Sequence, residues 1–351
     1  MKYKDNQFIK ANDLSFIGVL RDIKESRSAL QPVFECFTNA LESAKIKQDS
    51  NVDYKGKISI KIYTTKTLLE NTEFHHLSIT DNGIGFNDKE FDRFNTYKQV
   101  DKGFNNLGSG RIQYVHYFDL TTIKSVFEQD GKFFERRFDV SKKKDFISKN
   151  AIVKRIYCKE VDVSDTETTV SFNDLLRSRS SVYNVLDAQT LKEKLIDRYV
   201  HYFCYNKDIL PEISIEFYIS SKLKNRSVIT RDDIPSIDKT CHATVQYSKK
   251  GNKGFDKVKK SEDFTIDAFK ISKKRLKENK LNLVSKGEII EESNVTFESL
   301  AKGEMIEDSR FLFLVSSDYI DERDTNARGV LNIPTMVHLQ MTCLPVKKKC
   351  S

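Results

Sequence analysis

The sequence has no tryptophan, and only five prolines and 13 glycines among 351 residues, which excludes collagen-like and proline-rich classes. No run approaches the roughly 18 apolar residues of a membrane helix. The first fifteen residues, MKYKDNQFIKANDLS, lack the apolar stretch of a secretory signal, so a soluble, cytoplasmic protein is expected. Six cysteines (Cys36, Cys158, Cys204, Cys241, Cys343, Cys350) are scattered without a C-x-x-C pair, which argues against a zinc site or a disulfide framework. A Walker-type phosphate loop is missing too, because no G-x-x-x-x-G-K-[ST] string occurs. What is plentiful is phenylalanine (24) and tyrosine (14), too many for a disordered chain. The length suggests two domains, each large enough for its own core.

Charge is unevenly placed. The chain has 59 Lys and Arg against 51 Asp and Glu, a net of +8, yet positions 222–286 alone hold 18 basic and 8 acidic residues. That block therefore carries more than the whole excess. It reads either as a phosphate-binding surface for nucleic acid or as a solvated face, and charge alone leaves both open.

Residues 27–47 place Leu30, Val33, Phe34, Phe37 and Leu41 at the i, i+3, i+4, i+7 spacing of an amphipathic helix, and Pro32 suits its first turn. KISIKIY (57–63) alternates as a strand. A second strand at 77–80 runs into the turn signal Asp81-Asn82-Gly83. A helix is expected after Gly108-Ser109-Gly110, then strands at 120–127, 133–140 and 168–172. The order predicts an α+β sandwich with helices on one face of a mixed sheet over residues 1–172. A second, α/β unit is expected over 173–351, with a helical stripe at Leu191, Leu195, Ile196, Tyr199 and Phe203 and further strands at 213–219, 243–247 and 311–315.

Glu35, Asn39 and Glu42 lie at i, i+4 and i+7, on one helix face beside the apolar stripe. By itself this trio could be a solvated polar edge. It is followed, however, by Asp81-Asn82-Gly83-Ile84-Gly85-Phe86, then Asn106-Leu107-Gly108-Ser109-Gly110-Arg111, then Thr166 to Phe172. Four elements in this order resemble the GHKL ATPase superfamily, the Bergerat-fold group that contains the DNA gyrase B subunit, the heat-shock chaperone of ninety kilodaltons, MutL, MORC proteins and histidine kinases. The resemblance covers about residues 28–172.

The resemblance implies a Bergerat ATP-binding sandwich using ATP and Mg²⁺. Glu35 would polarise the attacking water, Asn39 would coordinate the metal, and Glu42 belongs to the same box. Asp81 would accept the adenine amine, with Gly83 and Gly85 letting the backbone approach the base. Gly108, Ser109, Gly110 and Arg111 would form the lid that faces the phosphates, with Lys102 a further phosphate contact. Thr168 would supply a hydroxyl beside Asp81. Two departures stand out: Asn105 replaces the first lid glycine, and Glu167 stands where the last motif has glycine. The chemistry is coherent on its own terms, since a carboxamide oxygen suits a hard cation that binds through substrate phosphates, and a carboxylate one turn away can take a proton from water.

A histidine kinase is not expected, because that branch normally lacks a Glu at the place of Glu35 and needs an upstream phosphoacceptor hairpin. The hydrolase branches add a transducer-like domain whose Lys or Arg reaches the γ-phosphate; Lys286, Arg323 and Arg328 are candidates here. LKEKLIDRYVHYFCYNKDILPEISIEF (191–217) and FLVSSDYIDERDTNARG (313–329) resemble segments of large bacterial GHKL proteins. The expected function is an ATP-driven switch with an ordered lid and an ATP-dependent homodimer, in DNA transactions or anti-phage defence. A nucleotide-dependent scaffold with little hydrolysis and a heat-shock-type chaperone are the alternatives.

Overall fold

The computed structural model describes residues 15–67, 71–95, 110–176, 180–251, 254–290 and 300–324. A short helix α1 (Phe16–Asp22) precedes the long helix α2 (Gln31–Ser50). The latter begins with Pro32 in its first turn and buries Val33, Phe34, Phe37, Ala40, Leu41 and Ala44. It lies on β1 (Lys57–Lys66) and β2 (Thr72–Asp81). Ile58, Ile60 and Ile62 alternate inward from β1 and are at most 1 % exposed, so the period-2 pattern fixes which face meets the helix.

Helices α3 (Asp88–Asn95) and α4 (Gly110–Tyr117) come next, then β3 (Phe118–Gln129), β4 (Lys132–Val140), α5 (Lys144–Ile147), β5 (Val153–Glu160) and β6 (Glu167–Leu175). After α6 (Ser180–Asn184) comes α7 (Ala188–Tyr205), capped by Asp187, whose carboxylate accepts the Thr190 N–H at 2.8 Å. It leads to β7 (Glu212–Ile219) and β8 (Lys222–Ile229). These strands form an eight-stranded sheet in the order β5-β4-β3-β6-β2-β1-β7-β8. Its β1/β7 pair is parallel and its other pairs are antiparallel, so the sheet is mixed and the class is α+β. Strands on either side of position 172 share this sheet, and one core cluster runs from Leu30 to Ile234.

A second sheet contains β9 (Lys239–Gly251), β10 (Gly254–Ser272), β11 (Lys280–Ser285), β12 (Glu288–Ile289) and β13 (Ser309–Ser316), in the order β12-β11-β13-β10-β9, with α8 (Asp318–Asp321) following. Helix α7 serves both cores. Leu191, Leu195, Tyr199 and Phe203 join the first, while Val200 packs with Phe269, Val284, Leu312 and Leu314 of the second. Among the described residues no helix is long and apolar enough to cross a membrane.

Candidate functional site

Up to position 172, all the predicted site residues within the described segments except Gly83 line one cleft. Helix α2 contributes Glu35, Asn39 and Glu42, the exit of β2 contributes Asp81 and Gly85, the start of α4 contributes Gly110 and Arg111, and β6 contributes Thr168. Its volume of about 120 Å³ far exceeds the roughly 10–15 Å³ that one water needs, so it has room for a ring-sized group with its waters.

Asp81 is 7 % exposed. Its Oδ1 accepts the Gly83 N–H at 2.9 Å, and burial pushes its pKa up to about 7, opposed by hydrogen bonds from Gly83 and Ser43. A carboxyl group so shifted on the wall of a cleft is a candidate for a functional role. Thr168 sits directly across from Asp81 in the β2/β6 register, but its hydroxyl bonds Ser125 Oγ of β3 at 2.8 Å. Ser125 Oγ in turn accepts the Phe86 N–H at 2.9 Å, which ties the D-N-G-I-G-F segment to the neighbouring strands.

The rest of that segment is locked by protein contacts. Asn82 Oδ1 accepts from Tyr54 OH and Lys57 N, both at 2.7 Å, and its Nδ2 donates to the Lys55 carbonyl. Lys47, near the end of α2, donates to the Asn82 carbonyl at 3.0 Å and to Thr166 Oγ1 at 2.7 Å. Arg136 is 3 % exposed and lies between the rings of Phe91 and Phe127; it donates to the carbonyls of Phe86 and Asn87 and pairs with Asp88. Gln129 and Arg136 together hold the Asp88 carboxyl below its usual range.

The two glycines have different reasons. A Cβ on Gly83 would come within 2.6 Å of the Ser43 carbonyl carbon and 2.2 Å of its Oγ, so Gly83 lets the β2 exit press against α2; it does not itself line the cleft. Gly85 adopts φ +74°, where side chains are strained, and also backs onto the Val126 carbonyl. Gly83→Ala is expected to cost about 1–3 kcal/mol of stability through overpacking, measured as a lowered urea midpoint at unchanged slope.

Glu35 is 3 % exposed. Its Oε1 accepts the Gln31 Nε2 at 3.0 Å, and its Oε2 would lie 2.2 Å from a Cβ at position 110. Gly110 therefore makes room for the carboxylate at the start of α4. Asn39 Nδ2 donates to Tyr114 OH at 3.3 Å, so the carboxamide oxygen is the atom of Asn39 that could hold a cation. Glu42 lies by Arg93, whose proton affinity burial lowers and the Glu42 charge partly restores; Arg93 also pairs with Glu90. The Arg111 guanidinium lies over the Phe94 ring at 5.5 Å.

Comparison with protein-family models gives no match, and comparison with curated proteins gives none.

Lys102, Gly108 and Ser109 lie outside the described residues, as does Arg328. Lys286 and Arg323 do not line the cleft. Lys286 occupies the β11–β12 turn, and Arg323 stacks on Tyr319 at 3.5 Å while donating to that residue's carbonyl. Some of the basic block is paired with acids: Lys260 with Glu262, Lys270 with Glu307, Lys273 with Asp308 and Arg226 with Glu216. Sequence reasoning passed over Gln31, Ser125 and Tyr114. Gln31 was within reach of it, since it sits one turn before Glu35 on the same helix face.

Proposed function

We propose that this cleft binds Mg-ATP and hydrolyses it slowly, in the manner of a Bergerat-type ATPase. The observation that supports this most is the meeting of Glu35, Asn39 and Asp81 in a single cleft whose wall includes the glycine start of a helix. Asp81 is the acceptor for an exocyclic amine on the base. Asn39 is the residue that would hold the metal; Mg²⁺ would neutralise phosphate charge there. The α4 start at Gly110 and Arg111 offers backbone N–H groups and a cation to phosphate oxygens. Glu35 takes the proton of the attacking water as its oxygen bonds to the γ-phosphorus, and ADP leaves with the electrons of the broken P–O bond.

A second reading is favoured by one feature: the Glu35 carboxylate is almost fully buried and already bonded to Gln31. A base so enclosed suits a nucleotide-dependent binding module with little turnover. Phosphate release at saturating Mg-ATP separates the two. Turnover above background that depends on Mg²⁺ supports the ATPase; tight binding with no release supports the module. Under either reading nucleotide is proposed to favour a homodimer, and light scattering with and without a non-hydrolysable analogue tests this.

A further inference from the structure

We propose that the Arg198–Glu288 ion pair positions Glu35, so that the second sheet sets the general base of the cleft. This rests on the ATPase assignment above. Glu288 belongs to β12 and follows the Lys286–Gly287 turn, whose two residues have φ +52° and +83°. A two-residue turn with both φ positive holds a hairpin tightly. The Lys286 N–H donates to Asp321 at 2.8 Å, and the Tyr202 N–H of α7 donates to the Gly287 carbonyl at 3.3 Å. The turn is thus docked on α7, and it delivers Glu288 into the space between α7 and α2.

There the carboxylate bridges both helices. Its Oε1 accepts Thr38 Oγ1 at 2.7 Å, next in sequence to Asn39. Its Oε2 accepts Arg198 Nε at 3.0 Å and Nη2 at 2.9 Å. Arg198 Nη2 also donates to Gln31 Oε1 at 3.3 Å, and Gln31 Nε2 donates to Glu35 Oε1 at 3.0 Å. Gln31, Arg198, Glu288 and Glu35 are 1, 5, 7 and 3 % exposed.

The direction of this relay is fixed by chemistry. Arginine has donors and no acceptor, so the Gln31 carboxamide must turn its oxygen to Arg198 and its NH₂ to Glu35. One carboxylate oxygen of Glu35 is then engaged as an acceptor, and the other, Oε2, is directed to Gly110. The polarity of Gln31 originates in Arg198, and Glu288 is the anion that keeps Arg198 in place. Buried pairs are poor devices for stability alone, because apolar replacements of similar volume often serve as well. A role in orienting a reacting group accounts for the expense.

The test compares steady-state ATP turnover of the full chain for wild type, Glu35→Ala, Gln31→Met, the double variant Arg198→Met with Glu288→Met, and the triple combination. The double variant removes both charges while keeping volume, and thermal unfolding confirms that each variant is folded. Gln31→Met alone breaks the relay with no charge altered. Gln31→Met and the double variant are each expected to lower kcat about 10- to 100-fold, the size of effect seen when the outer-shell partner of a metal ligand is lost. KM for Mg-ATP and nucleotide affinity should stay within about twofold. The triple variant should lose no more than either alone, since all act through one relay. Wild-type kcat in a folded Gln31→Met or double variant, losses that multiply, or a change in KM without kcat overturns the proposal. If Glu35→Ala is inactive and the relay variants are not, this inference fails by itself. If Glu35→Ala turns over at the wild-type rate, the ATPase assignment fails and takes the inference with it.

Discussion

Replacing Glu35 by alanine is expected to slow phosphate release from Mg-ATP by about 10²- to 10⁴-fold, the usual cost of losing a general base. Nucleotide affinity should remain within about twofold of wild type. The split follows from where the proton transfer acts. A base contributes only as the water loses its proton in the transition state, so its loss appears in kcat and not in binding. Glu35 is one turn from Asn39 on α2, so alanine there leaves the carboxamide and its bond to Tyr114 untouched. Single-turnover and steady-state phosphate release, with calorimetry for affinity, decide the matter. Equal rates in the two proteins would remove Glu35 from the mechanism.

Asp81→Asn should act on the opposite quantity. The carboxylate is the acceptor for a base amine, and an amide in its place can turn an NH₂ toward another donor. A buried polar group left unmatched costs a site dearly, so affinity should fall by about 10²-fold or more. The same residue gives wild type a pH signature. Burial raises its pKa to about 7, and the form that accepts an amine is the ionised one. Affinity should therefore increase about tenfold from pH 6 to pH 8, with a proton released on binding near neutrality. For the empty protein the sign is reversed: the folded state holds a proton that the unfolded chain has given up. Asp81's contribution to stability is thus fully present below its unfolded pKa and is lost as pH rises through about 7. Calorimetry with Mg-ADP in buffers of different ionisation enthalpy measures both affinity and proton release. A pH-independent affinity, or an Asp81→Asn protein that binds as wild type does, would count decisively against this pocket.

Much of the layout was legible because local pattern and tertiary role coincide. The α2 stripe and the Ile58-Ile60-Ile62 alternation each face the core, so periodicity reports them faithfully. The Asp81-Asn82-Gly83 turn stops β2 where the sequence says it should. Strands β5 and β8 were not legible. Both are edges of the eight-stranded sheet, and KLKNRSVI and VKRIYCKE carry three and four charged residues in eight. An edge strand bonds on one side only and uses lysine to discourage further pairing, which erases the alternation that would announce it. The nineteen-residue β10 was missed for a related reason, since a register shift between Lys257 and Ser261 breaks its period.

Within the site, the short-range features were visible and the long-range ones were not. Glu35, Asn39 and Glu42 are set by helical spacing. The bond from Thr168 to Ser125 joins strands 43 positions apart, and that from Arg198 to Glu288 spans 90. Neither can be read before the strand order and the place of α7 are known.

The parallel pairing of β1 with β7 has a consequence for how the molecule can be divided. Residues 57–64 of β1 are matched one for one with 212–219. A fragment ending at 172 keeps every described motif residue of the cleft yet strips β1 of this partner. It leaves an isoleucine-rich strand as an open margin, with its N–H and C=O groups unmatched beside the core that α7 had covered. Such a margin is a template for another chain. The nucleotide half, cut free at its motif boundary, would be a sticky object rather than a smaller protein.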